Sequence, residues 1–164
     1  LLNNIKCQFF IFFLLTCIGC LNIQAGVDKE DFKKIKLDEK QKLQETEFFM
    51  DATRAKVLGD ITQAKTLFEK VLEINPHNAA AHYDLSMLYM TSNQYEKAEN
   101  AAFNASDLDP ANKWYRDAYR QALSKGGKFE KAAKLMEKIV KDEPRKVELY
   151  FEWAYLRLNA CKYK

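Results

Sequence analysis

The prolines of this chain recur at a fixed interval. Pro76, Pro110 and Pro144 are its three prolines, and successive ones lie 34 residues apart. Each follows a run of helix-forming residues, and because proline cannot continue a helix, each is predicted to end one. An alanine recurs with the same period at positions 64, 98 and 132. A period of this length indicates an array of helix pairs that stack on one another.

The composition agrees with a helical fold. The chain has 164 residues, enough for one domain, and 48% of them are apolar, which can supply a core. Five glycines are too few for a turn-rich all-β fold. The net charge of +3 is small and evenly spread, whereas nucleic acid binding requires a clustered basic surface. We therefore expect an all-α fold and no nucleic acid partner.

Each period divides into two helices joined by a short turn. In the first, we expect a helix at 45–58, a turn at Gly59-Asp60 and a second helix at 61–74. Asp60 is expected to cap the second helix, with Gln63 as its reciprocal partner, and Asp38 with Gln41 forms a similar pattern earlier in the chain. The later helices are expected at 79–92, 95–108, 113–125 and 129–140, with a further pair beginning at Val147 and Tyr163.

These positions resemble the tetratricopeptide repeat family, whose unit is a 34-residue helix–turn–helix. The resemblance implies an all-α, right-handed α-solenoid with units at 45–78, 79–112 and 113–146, and a truncated unit at 147–164. A spacer or leading helix at 26–44 would precede them. Arg120 departs from the pattern, because a small residue is usual there. The residues that match the family pattern are Ala52, Ser86 and Ala154 at the small position, and Gly59, Asn93, Gly127 and Cys161 at the turn.

The resemblance also implies where a partner would bind. In this family the first helix of each unit lines a concave groove, and aromatic residues and methionines are well suited to adaptable contacts there. No basic clamp for a peptide C-terminus is present, because Phe49, Thr53, Asp84, Trp114 and Ala118 hold the corresponding positions. The expected groove residues are Phe49, Thr53, Tyr83, Met87, Met90, Trp114, Asp117, Gln121, Phe151 and Tyr155, with Glu148 beside them.

The first 25 residues indicate export. Lys6 precedes an apolar run at 9–18, which is shorter than the roughly 20 residues of a membrane span and fits a secretory signal. Three outcomes stay open: cleavage after Ala25, lipidation of Cys20, or an uncleaved anchor. All three place the protein outside the cytoplasm, in the periplasm or cell envelope of a Gram-negative bacterium.

The sequence offers no pattern for catalysis, a cofactor or a metal. His77 and His82 do not have the spacing of a metal pair on one helix face. Removal of the signal would leave Cys161 as the one cysteine, which excludes a disulfide framework and a cysteine-based zinc site. The carboxylates alternate with lysines, as on a solvated helical surface. We therefore expect a non-enzymatic protein without cofactors or a small-molecule substrate.

The expected function is that of a scaffold that binds a partner protein or peptide in the groove. Two alternatives stay open. The array could be the N-terminal sensory or regulatory part of a larger protein with a C-terminal effector domain. It could also be a structural spacer whose stacking forms an oligomer.

Overall fold

The computed structural model describes residues 37–162. This part of the chain consists of seven α-helices connected by short turns, and it contains no strands. The helices form successive pairs in the order predicted from the period, and each helix packs against the next along the chain. The result is an all-α solenoid. The helices are α1 (Glu39–Val57), α2 (Ile61–Ile74), α3 (Ala79–Thr91), α4 (Tyr95–Leu108), α5 (Lys113–Lys125), α6 (Phe129–Asp142) and α7 (Val147–Lys162).

The first helix is longer than the sequence analysis predicted. It begins at Glu39 rather than at residue 45, so residues 39–44 belong to the same helix as the first helix of the array. Asp38 and Gln41 form the expected capping box, in which the Asp38 carboxylate accepts from the Gln41 N–H at 2.7 Å. No glycine or proline lies between this cap and residue 45, so nothing interrupts the helix.

The turns within the first three pairs share one backbone conformation. Gly59, Asn93 and Gly127 all have positive φ, at 83°, 56° and 74° respectively. Glycine adopts this conformation without strain, and asparagine tolerates it better than most residues. The turn expected at Cys161 is wrong, because α7 continues through Lys162. Cysteine has no comparable preference for positive φ, so it does not end the helix there.

The helix ends confirm the role of the prolines. Pro76, Pro110 and Pro144 each follow the C-cap of the second helix in a pair. Asp60 caps α2 as expected, but the reciprocal bond from Gln63 is absent. The Asp60 N–H instead donates to the Ala55 carbonyl at 3.0 Å, so it is already satisfied.

The core consists of three clusters along the array. The first joins the first two helix pairs around Phe68, Val71, Leu85 and Leu88. The second lies between the second and third pairs and is built mainly of alanines. The third joins α5, α6 and α7 around Leu123, Met136, Val140 and Leu156. Stacking of this kind is necessary because one helix pair cannot bury its own apolar face.

The small position differs from pair to pair. Ala52 and Ser86 are fully buried, whereas Ala154 is exposed. Arg120 occupies the same position in α5 without shifting the helix start from the 34-residue register. A last unit truncated at 147–164 would be expected to leave apolar surface exposed near Trp153 and Leu156. Leu156 is in fact buried in the third cluster and Trp153 packs against it, and the exposed side chains of α7 are their neighbours Phe151, Tyr155 and Leu158.

The expected export signal, including Ala25 and Cys20, lies outside the described residues, as do most of the spacer and Tyr163. Among residues 37–162, no helix has both the length and the apolar character that a membrane span requires.

Candidate partner-binding surface

The first helices of the successive pairs, α1, α3, α5 and α7, are connected by side-chain contacts. Lys56 on α1 bonds to Asp84 on α3, with 2.7 Å between Nζ and Oδ1. The rings of Tyr83 on α3 and Tyr115 on α5 lie 5.3 Å apart. These contacts hold neighbouring first helices at a defined spacing, so their exposed residues form one continuous surface.

The same arrangement joins α5 to α7. Arg120 Nη2 lies 3.5 Å from the Glu152 carboxylate on α7 and 2.6 Å from Asp117 on its own helix. We call the surface formed by these helices the A-helix surface. It comprises Phe49, Thr53, Lys56, Tyr83, Asp84, Met87, Trp114, Asp117, Arg120, Gln121, Glu148, Phe151, Glu152 and Tyr155.

Four of the predicted groove residues present substantial apolar area. The exposed fractions are 37% for Met87, 63% for Trp114, 73% for Phe151 and 61% for Tyr155. Large exposed side chains of this type are energetically costly in water when they cluster, and they favour contact with a partner. They lie on three successive first helices, so an extended or helical segment could contact several of them.

Other predicted residues are engaged in the packing of the array. The Phe49 ring lies edge-on to Phe68, with 5.5 Å between the centroids. The Thr53 hydroxyl donates to the Phe49 carbonyl at 2.8 Å. Tyr83 packs against the alanine-rich cluster as well as against Tyr115. These side chains are half-buried, so they shape the surface and offer only their outer edges to a partner.

Met90 does not belong to the surface. It is 4% exposed and lies in the alanine-rich cluster, with Ala98 and Ala102 of α4 and Ala118 and Ala122 of α5. The small side chains on those two helices leave room for a methionine between them. Its assignment to the groove was therefore wrong, because packing between neighbouring pairs takes the residue out of solvent.

Asp117 and Gln121 form a local hydrogen-bond network. The two oxygens of Asp117 accept from Arg120 at 2.6 Å and from the Gln121 side-chain amide at 2.7 Å. The carboxylate nevertheless remains 42% exposed, while Arg120 is 17% exposed. The network therefore places negative charge outward and positive charge between the helices.

Trp114 stands beside a cavity of about 240 Å³ between α5, α6 and α7. Lys113 lies over its indole ring, with 5.1 Å from Nζ to the ring centroid. Leu149 and Ile139 form part of the apolar wall. Arg116 also borders the cavity, but its guanidinium is directed to Asp142 on α6 at 3.2 Å.

The hydroxyl groups at the helix contacts are held in their neutral form. Burial raises the pKa of Tyr115 above its ordinary value, and the nearby carboxylates Asp109 and Asp84 add to the effect. Tyr89 donates to Glu69 at 2.6 Å, and burial together with this bond raises its pKa to about 12. Both tyrosines therefore stay neutral at ordinary pH, Tyr89 as a hydrogen-bond donor to Glu69 and Tyr115 as a packing group against Tyr83.

The sequence analysis missed the pairs between first helices. Asp84 and Glu152 occupy the same position in their units, and each contacts a cation of the preceding unit. The recurrence of a carboxylate at this position was a usable signal. No signal in the sequence identified Lys56 and Arg120 as the partners, because that pairing depends on the spacing of the helices in three dimensions.

A second cavity, of about 530 Å³, lies between the start of α4 and the turn that follows α5, and its lining includes Glu99 and Lys128. Glu99 pairs with both Lys128 and Lys131, so its charge is compensated within the protein. No group of three or more histidine, cysteine or acidic side chains capable of holding a metal occurs in the part of the chain that the structure describes.

The tetratricopeptide repeat family model matches residues 58–122, which span the second helix of the first pair through most of α5. The repeat pattern, the helix-pair architecture and this match agree. The helices before and after this match keep the same 34-residue period, so the described residues form an array of the tetratricopeptide repeat type. Comparison with curated proteins gives no significant match.

Several solved structures with a similar fold are described as tetratricopeptide repeat domains. The second such domain of human RPAP3, in complex with the HSP70 peptide SGPTIEEVD, is 19% identical with a TM-score of 0.62, covering 71% of this chain and 98% of that one. MamA of Desulfovibrio magneticus RS-1 is 20% identical with a TM-score of 0.62, and the match covers 73% of this chain and 67% of that one. An O-GlcNAc transferase mutant of Thermobaculum terrenum is 19% identical with a TM-score of 0.59, and the match covers 73% of this chain and 23% of that one. At these identities the similarity establishes the fold.

Proposed function

We propose that this protein is a non-enzymatic scaffold whose A-helix surface binds a segment of a partner protein or a peptide. The observation that carries the proposal is the exposure of Met87, Trp114, Phe151 and Tyr155 on three successive first helices. Residues of this type supply most of the binding energy at protein interfaces. The related fold of RPAP3 is seen with a bound peptide, which supports the use of this architecture for peptide binding.

The mechanism is binding to a preformed surface. The contacts Lys56–Asp84, Tyr83–Tyr115 and Arg120–Glu152 hold the helices before any partner arrives. Little ordering entropy is therefore lost on the scaffold side, and more of the contact energy appears as affinity. A short segment is expected to bind with a Kd of about 1 μM, or roughly −8 kcal/mol.

The peptide tail of the RPAP3 complex is not a model for the partner of this chain. That peptide ends in Glu-Glu-Val-Asp, and such an acidic tail would require basic side chains on the first helices. Here the corresponding positions are Phe49, Thr53, Asp84, Trp114 and Ala118. We propose a partner with different chemistry.

The test is affinity capture with the purified protein and two matched variants. Replacing Met87, Trp114, Phe151 and Tyr155 by alanine removes the exposed apolar groups of the A-helix surface. The control replaces four apolar residues of similar exposure that do not belong to it, Leu43, Met50, Val57 and Leu58. Circular dichroism must show unchanged helicity in both.

A partner retained by the wild type and the control but lost by the first variant supports the proposal. Retention by all three proteins would contradict it, because the binding site would then lie elsewhere. Loss in the control alone would move the site to the exposed edge of α1.

We also propose that the protein works in the periplasm or cell envelope. The support is the sequence of residues 1–25, with a basic start, an apolar run and a small residue at Ala25. Mass spectrometry of the mature protein from envelope fractions tests this. An N-terminus at Gly26 indicates cleavage, and a lipidated Cys20 indicates a lipoprotein. An intact leader in the membrane fraction indicates an anchor, and an intact leader in the cytoplasm contradicts export.

A second candidate function is a regulatory array in a larger protein. The observation that favours it is the transferase of Thermobaculum terrenum, of which this chain spans 23%. The corresponding test is the length of the complete coding sequence. An effector domain downstream would favour this function, and a stop soon after the array would favour the scaffold.

A further inference from the structure

The A-helix surface also indicates the chemistry of its partner, an inference that rests on the function proposed above. Its exposed apolar groups are concentrated on α5 and α7, in Trp114, Phe151 and Tyr155. All three rings are aromatic, and their faces attract cations as well as apolar groups. Lys113 already uses this property, because its ammonium group lies over the Trp114 ring.

The charges among these rings differ in exposure according to their sign. Asp117 and Glu152 are 42% and 50% exposed at the side chain, and Glu148 is exposed as well. The cations are less accessible, with Lys56 at 34% and Arg120 at 17%. Each cation is bonded to a carboxylate of the surface, so its charge is largely compensated.

The charge presented outward is therefore negative, although the chain as a whole carries +3. Four further cations lie at the borders. Lys113 is exposed and its ammonium group lies over the Trp114 ring, and Lys146 pairs with Glu143. Arg116 is directed away to Asp142 on α6, and Lys125, at the end of α5, lines the second cavity. An acidic segment on this surface would meet three exposed carboxylates, whereas a cationic segment would satisfy them.

We propose that the A-helix surface of α5 and α7 binds a cationic segment in which lysine or arginine residues alternate with apolar residues. The apolar side chains contact Trp114, Phe151 and Tyr155. The cationic groups lie against Asp117, Glu148 and Glu152 and over the aromatic rings. The charge complementarity selects the sign of the partner, and the apolar contacts supply most of the affinity.

The test uses two amidated peptides of alternating leucine and lysine or leucine and glutamate, which differ only in the sign of their charge. Binding to the purified chain is measured by fluorescence anisotropy at low and high salt. The lysine peptide is expected to bind at least tenfold more tightly than the glutamate peptide. Its affinity is expected to fall as salt rises, because exposed charges are screened.

Two charge variants identify the surface. Asp117→Asn, Glu148→Gln and Glu152→Gln together should weaken binding of the lysine peptide about tenfold, since each exposed pair contributes a small amount. The control, Glu73→Gln, Glu96→Gln and Glu130→Gln, changes the net charge equally on the second helices α2, α4 and α6. It should leave the affinity within about twofold, as expected for charges distant from the contact.

Equal binding of both peptides, preference for the glutamate peptide, or equal loss in both charge variants would overturn this inference. So would no binding of either peptide. None of these outcomes refutes the proposed function, which stands or fails with the capture experiment. A captured partner that depends on Met87, Trp114, Phe151 and Tyr155 but carries an acidic binding segment would refute the charge inference alone.

Discussion

The first core cluster and the alanine-rich cluster both hold neighbouring helix pairs together, but they do so with side chains of opposite size. The first cluster buries Phe68 completely and surrounds it with branched side chains such as Val71 and Leu85. The alanine-rich cluster contains Met90 and four alanines, with half-buried tyrosines packed against it. One region is stabilised by large side chains that interlock, and the other by helices that approach closely. The difference implies that the first cluster is destabilised mainly by substitutions that remove volume, and the alanine-rich cluster mainly by substitutions that add volume.

Removing volume from the first cluster should have the largest effect. Phe68→Ala is expected to lower the free energy of unfolding by about 3–5 kcal/mol, because it leaves a cavity that the helices fill only partly. Urea unfolding followed by circular dichroism measures this. Phe103→Ala is the control: that ring is 47% exposed, and about 1 kcal/mol or less is expected. Equal effects would show that Phe68 is not the centre of the cluster.

Adding volume to the alanine-rich cluster should have the next largest effect. Ala98 is fully buried there, so Ala98→Leu is expected to cost about 1–3 kcal/mol through overpacking. The matched control is Ala154→Leu, at an exposed position of α7, where a change within about 0.5 kcal/mol is expected. A neutral Ala98→Leu would mean that the helices separate without cost, and the contrast between the two clusters would disappear.

The N-terminal caps of α2 and α4 give a second comparison between the two regions, with a smaller expected effect on stability. Asp60 caps α2 with a bond of 2.9 Å to the Gln63 N–H, whereas Gln94 at the start of α4 makes no side-chain cap bond. Asp60→Ala is therefore expected to cost about 1 kcal/mol, and Gln94→Ala only a few tenths. Thermal unfolding of the two variants decides this. An equal or larger loss in Gln94→Ala would show that the side-chain cap does not distinguish the two helix starts.

The smallest expected effect is a pH dependence that belongs to the first region alone. Burial lowers the pKa of His82 below 6.5, outweighing the bond between its Nε2 and the Pro76 carbonyl, while the nearby His77 lowers it further. As pH falls below 6.5, the unfolded state therefore takes up a proton before the folded state does, and stability decreases.

We expect a modest drop in the melting temperature between pH 7 and pH 5 in the wild type, and a smaller drop in His82→Gln. Unchanged pH dependence in the variant would assign the effect to other groups. Because the chain has two histidines, His77→Gln completes the comparison.

Most of the fold could be predicted from particular residues. The three prolines fall where α2, α4 and α6 end, and Gly59, Asn93 and Gly127 adopt the positive φ that their turns require. These signals are local, because proline and glycine restrict or free the backbone at their own position. Cys161 lacked such a property, and the turn predicted there did not occur.

The candidate surface was less predictable, because exposure depends on neighbours that are distant in the sequence. Met87 and Met90 are the same residue type on one helix, yet one is 37% exposed and the other 4%. The difference arises from the alanines of α4 and α5, which make a space for Met90. Similarly, nothing local indicates that Arg120 replaces a small residue by pairing with Asp117 and Glu152.

The sequence by itself determined the helix pairs, their period and their turns, since these follow from backbone preferences and from the periodic placement of apolar residues. The tertiary structure decided which aromatic and methionine side chains reach solvent and which cations are compensated by carboxylates. Those outcomes depend on helix spacing, which is set by the summed packing of residues from three or more helices. For the same reason the 34-residue period could indicate a binding surface but not the sign of its exposed charge.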